Sequence, residues 1–332
     1  MPTNTPPRLR PKQYPAPEFP PRRPPLFSRT PPAIYPTIMG LLGLGLAGRR
    51  ACEALDISGG LVELLLGGFA GLWAFAALAY AVKVVRRPGV VIEDLRVLPG
   101  RAGLAALVLG LMLVAVVLVP YAPGLAKGLL FAGLALHAGL ALLMIRVLWT
   151  SAPESRAVTP VWHLNFVGFI IGALAAVPLG LTPLASWLLW GTIPVAVVIW
   201  GISAVQLIRR IPPAPLRPLL AIHLAPASLF AIVAASLGQT MMAAGFAALG
   251  LVILLALAAA AKWLTASGFS ALWGAFTFPI AAYASALFAL GMDVTGVMVL
   301  MVALAVEPFV AFRVMQSWGK GDLAAKTNAA QA

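Results

Sequence analysis

The sequence predicts an all-α polytopic membrane protein with ten transmembrane helices, and three observations lead to this fold class. Hydrophobic residues make up 61% of the 332 residues and charged residues only 10%, against roughly 25% charged in soluble domains. Beyond residue 33 the chain is a series of apolar runs separated by short breaks. Each run can cross a hydrocarbon layer of roughly 30 Å, which takes about 20 helical residues. Basic residues lie in alternate breaks, as topology signals do.

The first predicted region is a tail over residues 1–33 that is rich in proline and arginine. It contains twelve prolines, from Pro2 to Pro32, interspersed with six basic residues. Such a stretch cannot bury enough apolar surface to form a core, so we expect it to be disordered or extended. The other two predicted regions are a ten-helix transmembrane domain over 34–316 and a cytoplasmic C-terminal tail over 317–332.

The apolar runs place the ten helices between breaks that contain turn residues such as Ser58-Gly59-Gly60, Arg87-Pro88-Gly89 and Pro212-Pro213. Their predicted bounds are 34–52, 60–84, 102–120, 123–148, 161–181, 184–208, 217–237, 240–264, 268–290 and 294–316. Very short turns at Leu181-Thr182-Pro183 and Gly238-Gln239-Thr240 make consecutive helices antiparallel neighbours. The sequence therefore predicts five helical hairpins in series, which suggests a ring.

The distribution of charge predicts the orientation of these helices. With the amino terminus inside, only Arg49, Arg50 and Lys127 of the 23 basic residues lie toward the outside. This bias predicts an even number of spans with both termini in the cytoplasm. The net charge of +13 does not indicate nucleic-acid binding, because the basic residues are spread between apolar segments rather than gathered in one stripe.

Few residues within the runs can carry chemistry. Glu307 is the clearest ionisable candidate in a predicted span, and we expect a protonated or Arg-paired structural glutamate there. We expect His137 to be a hydrogen-bonded packing residue, and His163 and His223 to be solvated at the cytoplasmic ends of their helices. The lone cysteine, Cys52, excludes a disulfide framework and a cysteine-based metal cluster.

The sequence contains no Walker A, HExxH, GxSxG or CxxC motif. Nucleotide hydrolysis and the familiar hydrolytic reactions therefore have no support, and we predict no enzymatic activity, no cofactor and no metal site. A pathway lined by glycine, hydroxyl, aromatic and backbone groups would suit passive permeation, with basic residues at the cytoplasmic mouths attracting anions.

Three helices contain distinctive motifs. Helix 5 opens with Thr159-Pro160-Val161-Trp162-His163-Leu164-Asn165, and helix 7 begins with His223-Leu224-Ala225-Pro226-Ala227. Helix 9 contains Trp273-Gly274-Ala275-Phe276-Thr277-Phe278-Pro279. The prolines predict kinks, because each removes a backbone hydrogen bond. From these residues alone, ordinary kinked membrane helices remain a sufficient interpretation.

The same segments resemble the tellurite-resistance/dicarboxylate transporter family, which includes bacterial TehA-type proteins, fungal malate and sulfite transporters, and plant slow anion channels. The resemblance covers residues 34–316. It is carried by Ala275-Phe276-Thr277-Phe278 and Leu224-Ala225-Pro226-Ala227, with support from Met39–Gly45 and Thr159-Pro160. The chain departs from several relatives at Asn165, where they have a proline, and at Gly40, which lies near a proline position of some.

The resemblance implies a central pore lined by the odd-numbered helices, with the even-numbered helices outside and three protomers that each keep their own pore. It assigns the gate to Phe278. The pore-lining residues that we predict on this basis are Gly40, Gly43, Asn165, Pro226, Ala227, Phe276 and Thr277.

Three functions stay open at this stage. The favoured one is passage of small inorganic or organic anions through a phenylalanine-gated pore in a bacterial inner membrane, by a channel or channel-like transporter. The second is a coupled carrier or exporter for malate-like dicarboxylates, sulfite or tellurite, which would need Glu307 or His137 for proton coupling. The third is a membrane-embedded enzyme or lipid-binding scaffold without transport.

Overall fold

A computed structural model describes residues 25–332, so the part of the predicted tail before Pro25 lies outside the described residues. The described chain is helical, with thirteen α-helices joined by short turns and by segments of 3₁₀- and π-helix. The α-helices are α1 Tyr35–Ala54, α2 Gly60–Arg86, α3 Val90–Arg96, α4 Leu98–Leu118, α5 Pro123–Thr150, α6 Ile170–Ala176, α7 Thr182–Arg209, α8 Leu224–Ser236, α9 Thr240–Ala259, α10 Ala261–Leu264, α11 Thr277–Ala289, α12 Asp293–Gly319 and α13 Asp322–Lys326.

Eight helices within residues 25–332 are long and apolar enough to cross a membrane. They are Gly60–Arg86, Leu98–Leu118, Pro123–Thr150, Thr182–Arg209, Ala214–Ser236, Thr240–Ala259, Ala271–Ala289 and Asp293–Gly319. The predicted helices at 34–52 and 161–181 are not among them. The first corresponds to α1, which carries Arg49 and Arg50, and the second is a shorter apolar helix, His163–Ala176. A multi-pass membrane protein is therefore confirmed, whereas ten spans and five hairpins stay a prediction.

Burial divides the eight long helices into two groups. In the apolar stretches of Leu98–Leu118, Ala214–Ser236 and Ala271–Ala289, 72%, 78% and 72% of the residues are buried. In the other five helices the buried share lies between 11% and 33%. The large apolar side chains that the outer helices expose need a hydrocarbon solvent, because water would leave that surface unfavourably hydrated. The helix α1 belongs with the inner group, since most of it from Tyr35 to Ala47 is buried.

The inner segments change helix type along their length. A π-helix at His163–Val167 precedes α6, and 3₁₀-helices at Ala214–His223 and Ala271–Phe276 precede α8 and α11. Each of α8 and α11 has proline as its third residue, Pro226 and Pro279. A proline is tolerated in the first turn of an α-helix, because the N–H it lacks would have no intrahelical partner there. The prolines thus mark where the α-helical halves of these segments begin.

A buried ion pair holds one end of the bundle, which we call the Asp94 end. The Lys83 ammonium lies 2.9 Å from the Asp94 carboxylate, and neither side chain is exposed to solvent. Tyr80 donates a 2.8 Å hydrogen bond to the same carboxylate oxygen, and Lys83 donates one of 3.0 Å to the carbonyl of Thr30. The other Asp94 oxygen accepts a 2.8 Å bond from the backbone N–H of Ala330.

The predicted C-terminal tail is packed against this end. The helix α12 continues to Gly319, past its predicted end at 316, and the following chain buries Leu323, Ala324 and Thr327. Arg87 donates a 2.8 Å hydrogen bond to the Gln331 carbonyl, and the Ala332 N–H donates one of 3.0 Å to the Ser28 carbonyl. The two ends of the described chain therefore meet over α2 and α3.

Replacing Asp94 with alanine should strongly destabilise the protein. Removing one partner leaves a buried lysine charge unpaired, which costs about 3–5 kcal/mol. Thermal unfolding of the detergent-solubilised chain measures the effect. The exposed Asp322, which pairs with Lys326 at 3.3 Å, provides the matched control, because Asp322→Ala should change the unfolding temperature little.

A double replacement, Lys83→Met with Asp94→Leu, removes both charges and should recover most of the stability lost in Asp94→Ala. A single Asp94→Ala variant as stable as the Asp322→Ala control would contradict this account of the ion pair.

Candidate functional site

Phe278 lies in the first turn of α11, where the sequence places it directly before Pro279, and its side chain is 5% exposed. The helix α1 contacts it through a glycine. A Cβ atom on Gly43 would lie 2.8 Å from Cδ2 of the Phe278 ring, closer than such contacts occur. One turn earlier, a Cβ atom on Gly40 would overlap the Thr277 hydroxyl oxygen. Small residues of this kind allow two helix backbones to approach closely in a membrane protein.

The Thr277 hydroxyl fixes the start of α11 beside α1. Its oxygen lies 2.8 Å from the Gly274 carbonyl and 3.3 Å from the Pro36 carbonyl, so its proton is shared between the 3₁₀-helix before α11 and the start of α1. Thr277 itself is fully buried. The backbone that carries the Phe278 ring is therefore held on one side by hydrogen bonds and on the other by Pro279.

Phe278 lines three cavities. The largest, the Arg50 cavity, has a volume of about 320 Å³ and lies at the end of the bundle where α1 ends. The apolar cavity, of about 30 Å³, lies toward the opposite, Asp94 end, and the His163 cavity, of about 20 Å³, lies beside the ring. Along α1 the residues that line the apolar cavity, Ala33 to Met39, precede those that line the Arg50 cavity, Gly43 to Glu53. Phe278 thus lies between the two.

The walls of these two cavities come from the same five stretches of chain. They are α1 with the residues before it, α4 with the residues that flank it, 164–178, 219–236 and 271–285. Neither wall includes a residue of the outer helices α2, α5, α7, α9 or α12. Only Phe278 belongs to both walls among residues 25–332. The inner segments therefore surround an interrupted path along the axis of the bundle.

The charges of the path lie on one side of Phe278. No charged residue of the described chain lines the apolar cavity, whereas Arg49, Arg50 and Glu53 line the Arg50 cavity. Arg49 makes two hydrogen bonds of 2.6 Å to the Glu63 carboxylate. The Tyr121 hydroxyl donates a 2.8 Å bond to Glu63, and that bond raises the pKa of Tyr121. Arg49 is thus neutralised by a paired carboxylate.

Residues 29–315 match the sequence profile of the SLAC1 voltage-dependent anion channel family. The chain belongs to this family. The resemblance predicted from the motifs of helices 1, 5, 7 and 9 is therefore confirmed, and membership supports transport of anions across a membrane. A search of curated proteins found no relative that matches the chain.

Two of the predicted pore-lining residues of this SLAC1-family chain line cavities together with Phe278. Gly43 lines the Arg50 cavity, and Pro226 lines the His163 cavity. The other five line none of the three cavities. Gly40 and Thr277 form the contact between α1 and α11, and Ala227 is fully buried in α8.

Asn165 and Phe276 contact other parts of the protein rather than one of the three cavities. The Asn165 amide donates a 3.0 Å hydrogen bond to the Val161 carbonyl within the π-helical turn, while its side-chain oxygen has no partner in the described chain. Phe276 packs edge-on against Trp273, with ring centroids 5.8 Å apart. A direct role of these two residues in permeation stays a prediction.

The two histidines expected at solvated helix ends are in contact instead. Nε2 of His163 and Nδ1 of His223 lie 3.0 Å apart and share a hydrogen bond, and His163 is only 2% exposed. The expectation of a solvated His163 is therefore wrong. The two residues are 60 positions apart in sequence, and each follows a break before an inner helix. The predicted helix bounds therefore place them at similar depths but do not show that their rings meet.

Glu307 and His137 lie away from the path. Both are fully buried, and neither lines the three cavities that contain Phe278. The ring nitrogens of His137 and the carboxyl oxygens of Glu307 have no hydrogen-bond partner among residues 25–332. Arg313, the arginine that lies six residues after Glu307, stacks on Phe269 at 4.9 Å instead of pairing with that carboxyl group. The expectation of a hydrogen-bonded His137 is wrong; its ring packs edge-on against Phe169.

No group of three or more His, Cys, Asp or Glu side chains within residues 25–332 has an arrangement that could hold a metal ion. Basic residues of the Asp94 end line two surface grooves, one with Arg209 and Arg210 and one with Arg313, Lys320 and Lys326. These grooves do not include Phe278. The charged residue that sequence reasoning missed is Arg50, whose only signal was its place beside Arg49 at the end of an inner helix.

Proposed function

We propose that the protein is an anion channel whose pore runs through the apolar cavity, past Phe278 and into the Arg50 cavity. The observation that carries this proposal is that Phe278, alone among residues 25–332, lines the cavities on both sides. In the proposed channel this conformation is the closed one, with the Phe278 ring between the two cavities.

The character of the barrier follows from the residues around it. An ion that passes an apolar constriction must shed water without gaining a protein ligand, so such a constriction blocks ions until it widens. Pro279 and the hydrogen bonds of Thr277 hold the backbone at Phe278. Opening therefore needs the ring to change rotamer or the inner helices to move apart, rather than a local change of the backbone.

The position of the buried ionisable groups favours a channel over a proton-coupled carrier. A carrier would need a titratable group where it can exchange protons with the transported anion or with water in the pathway. Glu307 and His137 line none of the cavities that meet at Phe278. The titratable groups that do line these cavities are Glu53, which is exposed at the rim of the Arg50 cavity, and His163, whose ring is paired with His223. Neither of the two buried groups considered for proton coupling therefore lies on the proposed pathway.

The architecture that we propose keeps ten membrane-embedded segments arranged as five hairpins over residues 34–316. The two segments beyond the eight long apolar helices are α1 and His163–Ala176. Both contribute to the cavity walls along with α4, α8 and α11, which supports five inner segments and five outer ones. The polar residues Arg49 and Arg50 of α1 then need no lipid contact, because they face the Arg50 cavity.

Replacing Phe278 with alanine should raise anion conductance by at least about tenfold, since a barrier lowered by only about 1.4 kcal/mol gives that factor. Currents carried by the purified protein in planar bilayers or liposomes measure the change. Phe278→Leu should give a smaller increase, because the leucine side chain fills part of the space of the ring.

Phe288→Ala provides the matched control. Phe288 lies in the same helix and is 7% exposed, but it lines none of the three cavities and packs against Gly296 of α12. Loss of a buried phenylalanine costs stability at both positions, and only Phe278→Ala should open the pore. Equal conductance of Phe278→Ala and wild type would contradict the assignment of Phe278 as the gate.

We propose that the Asp94 end is cytoplasmic, with both termini there, and that the Arg50 cavity opens outward in a bacterial inner membrane. Ser58, in the exposed turn between α1 and α2, tests this orientation once it is changed to cysteine in a Cys52→Ser background. A membrane-impermeant maleimide should label Ser58→Cys in intact cells. It should leave Ser267→Cys, in the turn before α11, unlabelled until the cells are broken, and the reverse pattern would invert the topology.

The homotrimer also stays a proposal, which rests on the family resemblance alone. Native mass spectrometry of the purified complex tests it.

A further inference from the structure

We infer that Arg50 and Ser285 form a binding site for a small monovalent anion in the Arg50 cavity, on the way to the gate. The inference deepens the proposed function and rests on it for the idea that the bound ion lies on a conduction path. The binding site itself stands on the geometry of the cavity.

Arg50 differs from its neighbour Arg49 in what it contacts. Arg49 is held by the two hydrogen bonds to Glu63. Arg50 makes no hydrogen bond and no ion pair within the described chain, although its side chain lines the cavity. A guanidinium group presents five N–H donors and does not lose its proton in a protein. The cavity therefore contains a permanent positive charge whose donors are unused by the protein.

A second unused donor faces the same cavity. Ser285 of α11 is 5% exposed, and its hydroxyl has no hydrogen-bond partner among residues 25–332. Ser236, the other serine of the wall, already donates its proton to the Ile232 carbonyl at 2.8 Å. The Ser285 hydroxyl can therefore donate a hydrogen bond to a bound anion, whereas the Ser236 hydroxyl already donates within its own helix.

Arg50 and Ser285 lie at the same depth. The helices α1 and α11 run parallel, because Gly40 faces Thr277 and Gly43 faces Phe278 and Ala281. Arg50 follows Gly43 by seven residues and Ser285 follows Phe278 by seven, and seven residues of α-helix rise about 10 Å. Both donors thus point into the cavity about 10 Å from the Phe278 level, on the Arg50 side.

The size and charge of the cavity define the class of ligand. A volume of about 320 Å³ accommodates a small anion with part of its water shell, since a single water needs only about 10–15 Å³ measured in this way. Glu53 is the one acidic residue of the described chain in the wall, and it is exposed, three residues beyond Arg50 toward the end of α1. Because Arg49 is paired with Glu63, the wall offers one unpaired arginine and one rim carboxylate, and the site therefore suits a monovalent anion better than a divalent one.

Such a site would attract anions to the outer side of the gate without trapping them. A conducting pore needs binding that is favourable enough for an ion to enter and weak enough for it to leave. A guanidinium in a cavity with room for water meets this need, because water that enters the cavity screens its charge. Its planar fork also matches a small planar oxyanion such as nitrate.

Nitrate binding to the purified full-length chain in detergent tests the site without any measurement of current. We expect nitrate, titrated against gluconate at constant ionic strength, to raise the unfolding temperature of the wild type in a saturable manner. In Arg50→Gln the nitrate concentration that gives half of the effect should rise at least about tenfold. Ser285→Ala should weaken binding by a smaller factor, and Glu53→Gln should strengthen it.

Lys127→Gln is the matched control, because it also removes one positive charge near the same end of the bundle. Lys127 is exposed at the start of α5 and lines none of the cavities that contain Phe278. It should keep the wild-type nitrate response. An unchanged response in Arg50→Gln, or an equal loss in Lys127→Gln, would overturn the site. The unfolding curves themselves report whether each variant is folded.

Currents in the Phe278→Ala background separate this inference from the proposed function. Adding Arg50→Gln should reduce the nitrate current severalfold at low salt and less at high salt, where mobile ions screen the charge. If nitrate stabilises the wild type but not Arg50→Gln while no variant conducts, the site stands and the channel proposal fails. If the currents appear but Arg50→Gln leaves them unchanged at every salt concentration, the proposed role of the site on the pathway is wrong.

Discussion

The close approach of α1 to α11 is the constraint on which the rest of the site depends. Glycine at positions 40 and 43 brings the backbone of α1 against Thr277 and the ring of Phe278. Any side chain there would force the helices apart and open a gap beside the ring. The same contact sets the two helices in parallel register, and this register brings Arg50 and Ser285 to one depth. One packing contact therefore determines both the seal and the arrangement of donors beyond it.

The membrane environment explains why the seal can be made of apolar groups alone. The outer helices expose large hydrophobic side chains to the hydrocarbon, so association of the inner helices depends on close packing and on internal hydrogen bonds rather than on water exclusion. The inner segments meet this demand with glycine, alanine and buried hydroxyl groups. Polar interactions concentrate at the two ends, in the Arg49–Glu63 pair and in the Lys83–Asp94 cluster, where they join helices without placing charge at the gate.

Much of the fold could be predicted from hydropathy and from the placement of basic residues. Those signals depend on local composition, and eight of the ten predicted helices are long and apolar enough on that basis alone. The other two predicted helices are too short or too polar to be recognised in this way, for physical reasons. The helix α1 has two arginines that face a cavity instead of lipid, and the fifth segment, His163–Ala176, is short even with its π-helical first turn included. Phe278 was assigned through the family motif, since apolar periodicity cannot distinguish a gate from any buried phenylalanine.

The features that the sequence could not give are contacts between distant parts of the chain. Gly40, whose place in the pore stays a prediction, packs on Thr277, and which face of an inner helix meets a neighbour depends on the neighbour. The pairing of His163 with His223 and the folding of the C-terminal tail onto Asp94 are of the same kind. Arg50 could not be told from Arg49 by sequence, since only the contact with Glu63 separates a neutralised arginine from a free one.

The central claim is that the path interrupted by Phe278 conducts anions. The most direct test is the reversal potential of the current through purified Phe278→Ala protein in a planar bilayer that separates two concentrations of potassium chloride. The account predicts a reversal close to the equilibrium potential of chloride. A reversal close to the equilibrium potential of potassium would contradict it.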